Sequence, residues 1–203
     1  MQKLNVAVIF GSRSVEHDVS IITGIQVMQN LNLQKYNAIP IYITKEGRFL
    51  TGEYLKNIDN FKDKKLIGKK TKEADLKNID VAIIAVHGTN GEDGTLQGLL
   101  EMKNIPYTGA GVVGSAVGMD KIIQKAVFKE NNIPVVNYIW FNSSDVNLDK
   151  VKLKYPLYVK PANLGSSIGI TKATDRKSLE FAIEVASSYD RRILIEEAVD
   201  KLI

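Results

Sequence analysis

Four stretches of the chain collect polar side chains of the kinds that bind ligands. Each lies at the C-terminal end of a predicted strand or at the junction of two predicted domains. Ligands bind outside the C-terminal ends of the strands in open α/β sheets, so we take these stretches as the candidate functional site. They are GSRSVEHDVS (11–20), HGTNGEDG (87–94), MDK (119–121) and YVKPANLGSSIGI (158–170).

The first two stretches place carboxylates and an imidazole after predicted strands. Glu16 could hold a substrate ammonium group, although an acid is equally favoured at the start of a helix for electrostatic reasons alone. His87, Glu92 and Asp93 belong to a loop with three glycines, which permit tight turns that expose backbone N–H groups. A Gly-rich, acidic loop directly after a buried strand favours a binding function for His87 over a structural one.

The other two stretches supply positive charge and hydrogen-bond donors. Lys160 ends a buried apolar strand before a proline, where its ammonium group requires an anion to offset desolvation. Lys121 adds a second positive charge, and GSSIG (165–169) adds N–H and O–H donors. Together these groups fit a phosphate site. The alternative is an ordinary hairpin with a lysine whose stem packs on apolar surface.

A fifth stretch, ILIEEAV (193–199), carries a weaker signal. Its two acids, Glu196 and Glu197, end an apolar strand. We expect this strand at a sheet edge, where unpaired backbone N–H and C=O groups could bind the edge of a purine.

The elements that carry these residues alternate over the first 120 residues, which implies parallel strands with crossovers and hence an open α/β sheet. Beyond them, strands cluster around one helix, which indicates an α+β second domain. We place the boundary between 119 and 120, Ser14 as the N-cap of the first helix, and a hairpin with a surface loop at 45–78. Strands are predicted at 4–10, 37–44, 79–88, 105–109, 135–141, 156–162, 167–173 and 192–199, and helices at 14–31, 94–104, 112–131 and 175–190.

Composition excludes several classes of protein. The 203 residues include no cysteine, so disulfides and cysteine-based metal sites are excluded. The apolar run from Val6 to Phe10 is too short for a signal-peptide core, and no later run reaches transmembrane length, so we expect a soluble intracellular protein. The net charge of +4 comes largely from the lysine-rich segment 62–72. That segment lacks aromatic residues for base stacking, so we expect a solvated loop and no nucleic-acid partner.

The glycines at 109, 111 and 114 match G-x-G-x-x-G, the pattern of a dinucleotide-binding turn. In that fold the glycines follow the first strand, and an acid about 20 residues later holds the ribose. Here they come late in the strand order, and the next strand has no acid at its C-terminal end. We interpret the small residues as permitting close packing of a helix on a sheet. No P-loop pattern occurs.

With these pieces in order, the chain resembles the D-alanine–D-alanine ligase family of the ATP-grasp superfamily. The resemblance covers essentially all of the chain. It implies an N-terminal open parallel-sheet, Rossmann-like domain at 1–119 and a partial α+β ATP-grasp domain at 120–203. It also implies that GAGVVGSAVG leads into the helix joining the two domains. The motifs that carry it, in family order, are FGSRSVEHDVS, HGTNGEDG, PYTGAGVVGSAVGMDK, YVKPANLGSSIGI and ILIEEAV.

The resemblance implies a cytoplasmic, homodimeric enzyme of peptidoglycan precursor synthesis that uses ATP and Mg²⁺. In the family, ATP phosphorylates the carboxylate of one D-alanine, and the amine of a second D-alanine attacks the acyl phosphate. The products are D-alanyl-D-alanine, ADP and phosphate. Such a reaction between anions requires cations and hydrogen-bond donors aimed at the developing charge.

By the same resemblance, Glu16 would bind the ammonium group of the first D-alanine and His87 would lie near its carboxylate. Glu92 and Asp93 would shape the loop around it. Ser166 would link the GSSIG loop to Glu16.

On the nucleotide side, Lys121 and Lys160 would hold the ATP phosphates, and Ser167 would lie beside Ser166 in the loop that covers them. The adenine would meet a run of four residues, partly through their backbone: Glu196, Glu197, Ala198 and Val199.

The chain departs from the family pattern in two ways. Ser12 stands where the family usually has a second glycine. Family members also continue for roughly another hundred residues, about the size of a further domain. That part carries the Mg²⁺-binding acids, an arginine that stabilises the transition state and the groups that bind the second D-alanine. We therefore expect the 203 residues to contain no Mg²⁺ ligands and to be a fragment unable to turn over.

Three alternatives remain open. The second substrate could be D-lactate or D-serine. The chain could be a nucleotide- or dinucleotide-binding module without ligase chemistry. It could also be a domain that serves mainly as an interaction or dimer surface. The last two leave the joint presence of HGTNGEDG and VKPANLGSS unexplained.

Overall fold

The computed structural model describes residues 2–199, apart from the side chain of Lys64. The chain forms two compact units, Met1–Ala116 and Val117–Ile203. This division follows compactness, and the functional boundary predicted between 119 and 120 stays a prediction. No helix in the described part of the chain is long and apolar enough to cross a membrane.

The first unit is built on a five-stranded sheet with the order β4-β3-β2-β1-β5. β1 pairs in parallel with both β2 and β5, whereas β3 and β4 extend the sheet in antiparallel fashion. β1 is central and buried on both faces, which explains its continuous apolar sequence. The strands are β1 (Leu4–Gly11), β2 (Tyr36–Ile43), β3 (Phe49–Thr51), β4 (Lys72–Glu73) and β5 (Val81–Ile84).

Helices cover both faces of this sheet. On one face, Ile21 and Ile25 of α1 (His17–Asn30) pack with Phe10 of β1. On the other face, Leu96 and Leu100 of α3 (Thr95–Met102) pack with Ile9. Between β3 and β4 the chain forms two 3₁₀ turns and α2 (Lys64–Lys70). The residues of α4 (Val112–Met119) include the point in the sequence at which the two units divide.

The second unit is a four-stranded antiparallel sheet with the order β6-β9-β7-β8. Its core joins Leu157 and Ile195 of the sheet to Leu179 of α6. α6 begins with a capping box in which Asp175 and Ser178 satisfy each other's backbone N–H groups. The elements are α5 (Lys121–Glu130), β6 (Tyr138–Asn142), β7 (Leu157–Pro161), β8 (Thr171–Ala173), α6 (Arg176–Ser187) and β9 (Arg192–Glu197).

The predicted fold class, an open parallel α/β sheet followed by an α+β unit, is confirmed, with the antiparallel β3 and β4 as an addition. The prediction that 62–72 is a solvated loop is wrong about the loop, although most of the described side chains in this segment are exposed. It contains α2, whose N-terminus is capped by the Asp63 side chain and whose Ile67 is buried in the first core. The prediction of a strand at 105–109 is also wrong, because only Tyr107 bridges to Ala82.

Two helix predictions also need correction. The first helix begins at His17 rather than after Ser14, whose hydroxyl accepts the backbone N–H of Glu16. The helix predicted at 112–131 is two helices, α4 and α5, separated at Asp120. The Asp120 carboxylate caps α5 by accepting the backbone N–H groups of Ile122 and Ile123, 3.0 and 3.2 Å away, and also pairs with Arg192.

The surroundings of two helical glycines predict opposite effects of an alanine substitution on stability. A Cβ added to Gly24 of α1 would lie 2.6 Å from Phe10 Cβ and 2.7 Å from Phe10 Cδ1, whereas one added to Gly68 of α2 meets no atom within 4 Å. We expect Gly24→Ala to lower the free energy of unfolding by about 1–2 kcal/mol through overpacking. Gly68→Ala should raise it by about 0.5–1 kcal/mol through helix propensity. Urea denaturation measures both, and shifts of the same sign would contradict this packing.

Candidate functional site

The C-terminal ends of β1 and β5 lie side by side in the first unit. From β1 the chain crosses through α1 to β2 on one side, while β5 lies on the other side. β1 is therefore a topological switch point, where open sheets form a crevice for ligands. The two stretches predicted to bind ligands, 11–20 and 87–94, follow these two strand ends.

Two serines tie the two strand ends together. The Ser20 hydroxyl accepts the backbone N–H of Gly11 at 2.8 Å and donates to the carbonyl of Ala85 at 2.7 Å. The Ser12 hydroxyl donates to the carbonyl of Thr89 at 3.1 Å. Ser12, which stands where the family usually has glycine, thus helps to fix the second loop. Both serines are fully buried, so these bonds define the floor of the crevice.

Glu16 lies directly against the 87–94 loop. A Cβ added to Gly88, whose φ is +70°, would overlap the Glu16 carboxylate and lie 2.6 Å from the Ser14 hydroxyl. Only glycine leaves room for both groups in this conformation. The structure therefore brings together the carboxylate and the loop that the sequence had singled out separately.

The acids of the loop organise its backbone. Glu92 Oε2 accepts the N–H of Gly88 at 2.8 Å, and the Asp93 carboxylate accepts the N–H groups of Asn90 and Thr95 at 2.8 and 3.0 Å. His87 Nε2 shares a hydrogen bond of 2.8 Å with Thr23 Oγ1 of α1. These contacts fix the shape of the loop and the orientation of the imidazole.

His17 is a buried residue of this site that the sequence analysis missed. Its Nδ1 contacts the carbonyl of Ser12, which can only accept, so Nδ1 carries the hydrogen. Its Nε2 lies 3.0 Å from the Tyr42 hydroxyl. Burial, and then the charges of Glu46 and Asp18, raise the pKa of Tyr42 to about 12, so the phenol keeps its proton. The available signal was position, since His17 follows Glu16 directly.

In the second unit, Lys121 contacts the loop between β7 and β8, and Lys160 of β7 lies near enough to act on its charge. The Lys121 backbone N–H donates to the Ala162 carbonyl at 3.0 Å, and its ammonium group donates to the Leu164 carbonyl. Burial lowers the pKa of Lys121, and the positive charge of Lys160 lowers it further. Two ammonium groups that repel each other, one of them partly buried, favour an anionic ligand.

The loop itself is anchored at one end and has an unusual backbone. Asp190 Oδ2 accepts both the backbone N–H and the side-chain amide of Asn163, at 2.8 and 2.9 Å. Ser166 and Ser167 follow with φ values of +50° and +58°. Consecutive residues in this uncommon region indicate a specialised backbone of the kind found around ligands.

The anion that Lys160 requires is Glu196. Its carboxylate pairs with Lys160 through Oε1 and with Lys125 through Oε2, the latter at 2.9 Å. Burial alone would raise the pKa of Glu196, but the hydrogen bonds and charges of the two lysines outweigh it, so the pKa lies below its usual value. Lys125 was not singled out in the sequence; its spacing of four residues from Lys121 on α5 was the available signal.

The strand that carries Glu196 is not at an edge, contrary to the prediction. β9 lies between β6 and β7 and is bonded to both, and Ile193–Ile195 are fully buried. The N–H groups of Glu197 and Ala198 donate to the carbonyls of Asn137 and Pro156, each at 3.0 Å. The Glu197 carboxylate accepts the Asn137 amide at 2.9 Å and the Lys154 N–H at 2.8 Å. Its predicted role toward adenine stays a prediction, as does that of Val199.

Metal binding can be tested on the described residues. Within 2–199, no three side chains of His, Asp or Glu lie close enough together to hold a metal ion.

Comparison with known proteins agrees with this architecture. The family model described as "D-ala D-ala ligase N-terminus" matches residues 5–110, and that described as "D-ala D-ala ligase C-terminus" matches residues 127–202. A D-alanine–D-alanine ligase of Thermosipho africanus is 45% identical over 222 residues, covering 97% of this chain and 59% of that protein.

Solved structures give the same result. The VanG D-Ala:D-Ser ligase of Enterococcus faecalis superimposes with a TM-score of 0.85 at 32% identity, covering 98% of this chain and 64% of that one. The D-alanine–D-alanine ligase of Bacillus anthracis complexed with ATP gives a TM-score of 0.76 at 32% identity, covering 98% and 58%.

The open parallel sheet with its polar crevice, followed by the lysine-bearing antiparallel sheet, is the architecture of the ATP-grasp ligases. Within that class, the chain belongs to the D-alanine–D-alanine ligase family. It spans about 60% of the length of the curated relatives that it matches.

Proposed function

We propose that the protein is an ATP-dependent ligase that joins two D-alanines through an acyl phosphate, for the synthesis of peptidoglycan precursors. The observation that carries the proposal is the electrostatic proximity of Lys160 to Lys121, whose ammonium group contacts the loop between β7 and β8. It occurs in a chain whose relatives are D-alanine–D-alanine ligases, one of them solved with ATP.

On the nucleotide side, the two lysines would neutralise phosphate oxygens. Lys121 is already partly desolvated and repelled by Lys160, so an anionic ligand would offset both effects. Lys160 would exchange part of its pairing with Glu196 for a phosphate oxygen. ATP bound here would supply the phosphoryl group that activates a carboxylate. The run Glu196–Val199 would meet the adenine, as the family resemblance implies.

On the amino-acid side, the Glu16 carboxylate would hold the ammonium group of the first D-alanine. His87, oriented by Thr23, would lie near the substrate carboxylate. Glu92 and Asp93 would act through the loop that they organise rather than by direct contact. Ser166 and Ser167 belong to the second unit, and their predicted roles toward the substrate remain part of this proposal.

From the family resemblance, we also propose that Mg²⁺ accompanies the bound ATP, that the protein forms a homodimer, and that it works in the cytoplasm. A second candidate function is D-alanine–D-serine ligation. The solved VanG D-Ala:D-Ser ligase, with its TM-score of 0.85, is the observation that favours it. D-Lactate is the remaining alternative for the second substrate.

The test is the release of phosphate from Mg-ATP by the complete gene product with D-alanine, L-alanine, or D-alanine together with D-serine or D-lactate. We expect release that depends on D-alanine, with D-alanyl-D-alanine identified by mass spectrometry, and only background release with L-alanine. A mixed product in preference to D-alanyl-D-alanine would establish the second candidate. Tight NADH binding without any D-alanine-dependent release would overturn the ligase and support a dinucleotide-binding module.

A further inference from the structure

Lys125 and Lys160 share one carboxylate in the second unit. Lys160 of β7 pairs with Oε1 of Glu196, and Lys125 of α5 pairs with Oε2 at 2.9 Å. All three side chains are largely shielded from water, with 15% of Lys125, 23% of Lys160 and 11% of Glu196 exposed. The cluster carries one negative and two positive charges, so its net charge is positive and one ammonium group has no carboxylate charge of its own within the cluster.

A phosphate ligand would compete with Glu196 for Lys160. If Lys160 turned its ammonium group toward a phosphate oxygen, Glu196 would lose one partner while remaining almost buried. An uncompensated buried carboxylate is strongly unfavourable, so the exchange requires another cation that stays with Glu196. Lys125 is already paired with the other carboxylate oxygen and comes from a different element.

The position of Lys125 is fixed by a second contact. Its ammonium group lies 5.3 Å from the centroid of the Tyr138 ring, and Tyr138 pairs directly opposite Glu196 between β6 and β9. Lys129, one helical turn further along α5, lies 4.9 Å from the same ring but is exposed to solvent. The two lysines therefore share charge, helix and aromatic partner, and they differ in the ion pair with Glu196.

We propose that Lys125 is a positioning residue for nucleotide binding: it retains the Glu196 carboxylate while Lys160 transfers its ammonium group to a phosphate. This inference rests on the proposed function and deepens it. Without Lys125, Glu196 has only Lys160 as a partner within this cluster, and the phosphate must compete for that one ammonium group. A nucleoside has no phosphate, so its binding does not compete with Glu196 for the Lys160 ammonium group.

The experiment is isothermal titration calorimetry of the 203-residue chain with ATP and with adenosine. The variants are Lys125→Met, Lys125→Arg and the matched control Lys129→Met. We expect Lys125→Met to weaken ATP binding by about tenfold or more, the size of one charge-assisted interaction, and adenosine binding by less than about twofold. Lys125→Arg should restore ATP binding to within about threefold, and Lys129→Met should change either affinity by less than about twofold.

Each outcome separates this inference from the proposed function. Unchanged ATP binding by Lys125→Met, or equal losses for ATP and adenosine, would overturn the positioning role while leaving ATP binding intact in the parent chain. A parent chain that binds no ATP would overturn this inference, whereas the release assay on the complete gene product decides the proposed function. Thermal unfolding checks the fold of each variant, and Lys125→Gln, with the same expected selectivity, replaces a methionine variant that fails to fold.

Discussion

Replacing Lys160 by methionine is expected to weaken ATP binding by about a hundredfold. The change removes the ammonium group proposed to meet a phosphate, which is a charge-assisted contact in a partly desolvated site. It also leaves Glu196 paired with Lys125 alone, so the negative carboxylate near the phosphates is less well compensated. Both effects act in the same direction. Methionine keeps most of the length of the side chain, so the packing of β7 is retained.

Titration calorimetry measures this loss, with Lys172→Met as the control. Lys172 lies on the neighbouring strand β8, opposite Tyr158, and its side chain is exposed. The control removes the same charge from the same sheet, so we expect the Lys172→Met variant to lose less than about twofold in affinity for ATP. Equal losses in the two variants would mean that net charge, rather than the position of Lys160, governs binding.

The second large effect is expected at Gly88. Gly88→Ala should lower the free energy of unfolding by about 3–4 kcal/mol. The left-handed conformation contributes about 1–2 kcal/mol for a non-glycine residue, and overlap with the Glu16 carboxylate and the Ser14 hydroxyl contributes the rest. Because the added methyl group pushes directly on Glu16, the variant should also lose D-alanine-dependent activity in the complete gene product.

Gly109→Ala separates the two contributions to this loss. Gly109 also has a positive φ, +109°, but a Cβ added there meets no atom within 4 Å. We therefore expect only the conformational part of the cost, about 1–2 kcal/mol. Urea denaturation followed by far-ultraviolet circular dichroism measures both variants. A loss at Gly109 as large as that at Gly88 would show that the Gly88 effect is backbone strain and says nothing about Glu16.

The parts of the fold that could be predicted are those that depend on the local pattern of residues. The apolar run from Val6 to Phe10 predicted a strand buried on both faces, because only such a strand tolerates apolar residues at every position. The apolar residues at 193–195 likewise predicted a strand, and they are fully buried, although the strand lies inside the sheet and not at the expected edge. The loops after β1 and β5 were identified because they collect polar residues at the C-terminal ends of strands, where open α/β sheets bind ligands.

The failures share a non-local cause. The position of β9 between β6 and β7 depends on pairing with strands more than 30 residues away, which no local pattern records. The break at Asp120 depends partly on Arg192, 72 residues further along the chain. Helix α2 was not predicted because the lysine-rich segment shows no periodic pattern of apolar residues. Its buried residue, Ile67, packs against the first core, and this contact stabilises the helix.

The candidate site shows the same division. That Lys160 requires an anion followed from its place at the end of a buried strand. That the anion is Glu196, a residue singled out for a different reason, followed only from the pairing of β7 with β9. Lys125 and His17 were missed because each contacts a side chain brought close by the fold, Glu196 for one and Tyr42 for the other.

The strand order of the second unit constrains how it can be assembled during synthesis on the ribosome. Among the described residues, β6 and β7 are joined through β9, which comes after both of them in the chain. The sheet therefore stays divided until residues 192–197 have emerged, whereas the parallel strands of the first unit are all available once residue 84 is made. Pairing that waits for a late, distant strand is slow and exposes apolar surface in the meantime. The nascent chain thus carries all the parallel strands of the first unit while β6 and β7 of the second still lack the strand that joins them.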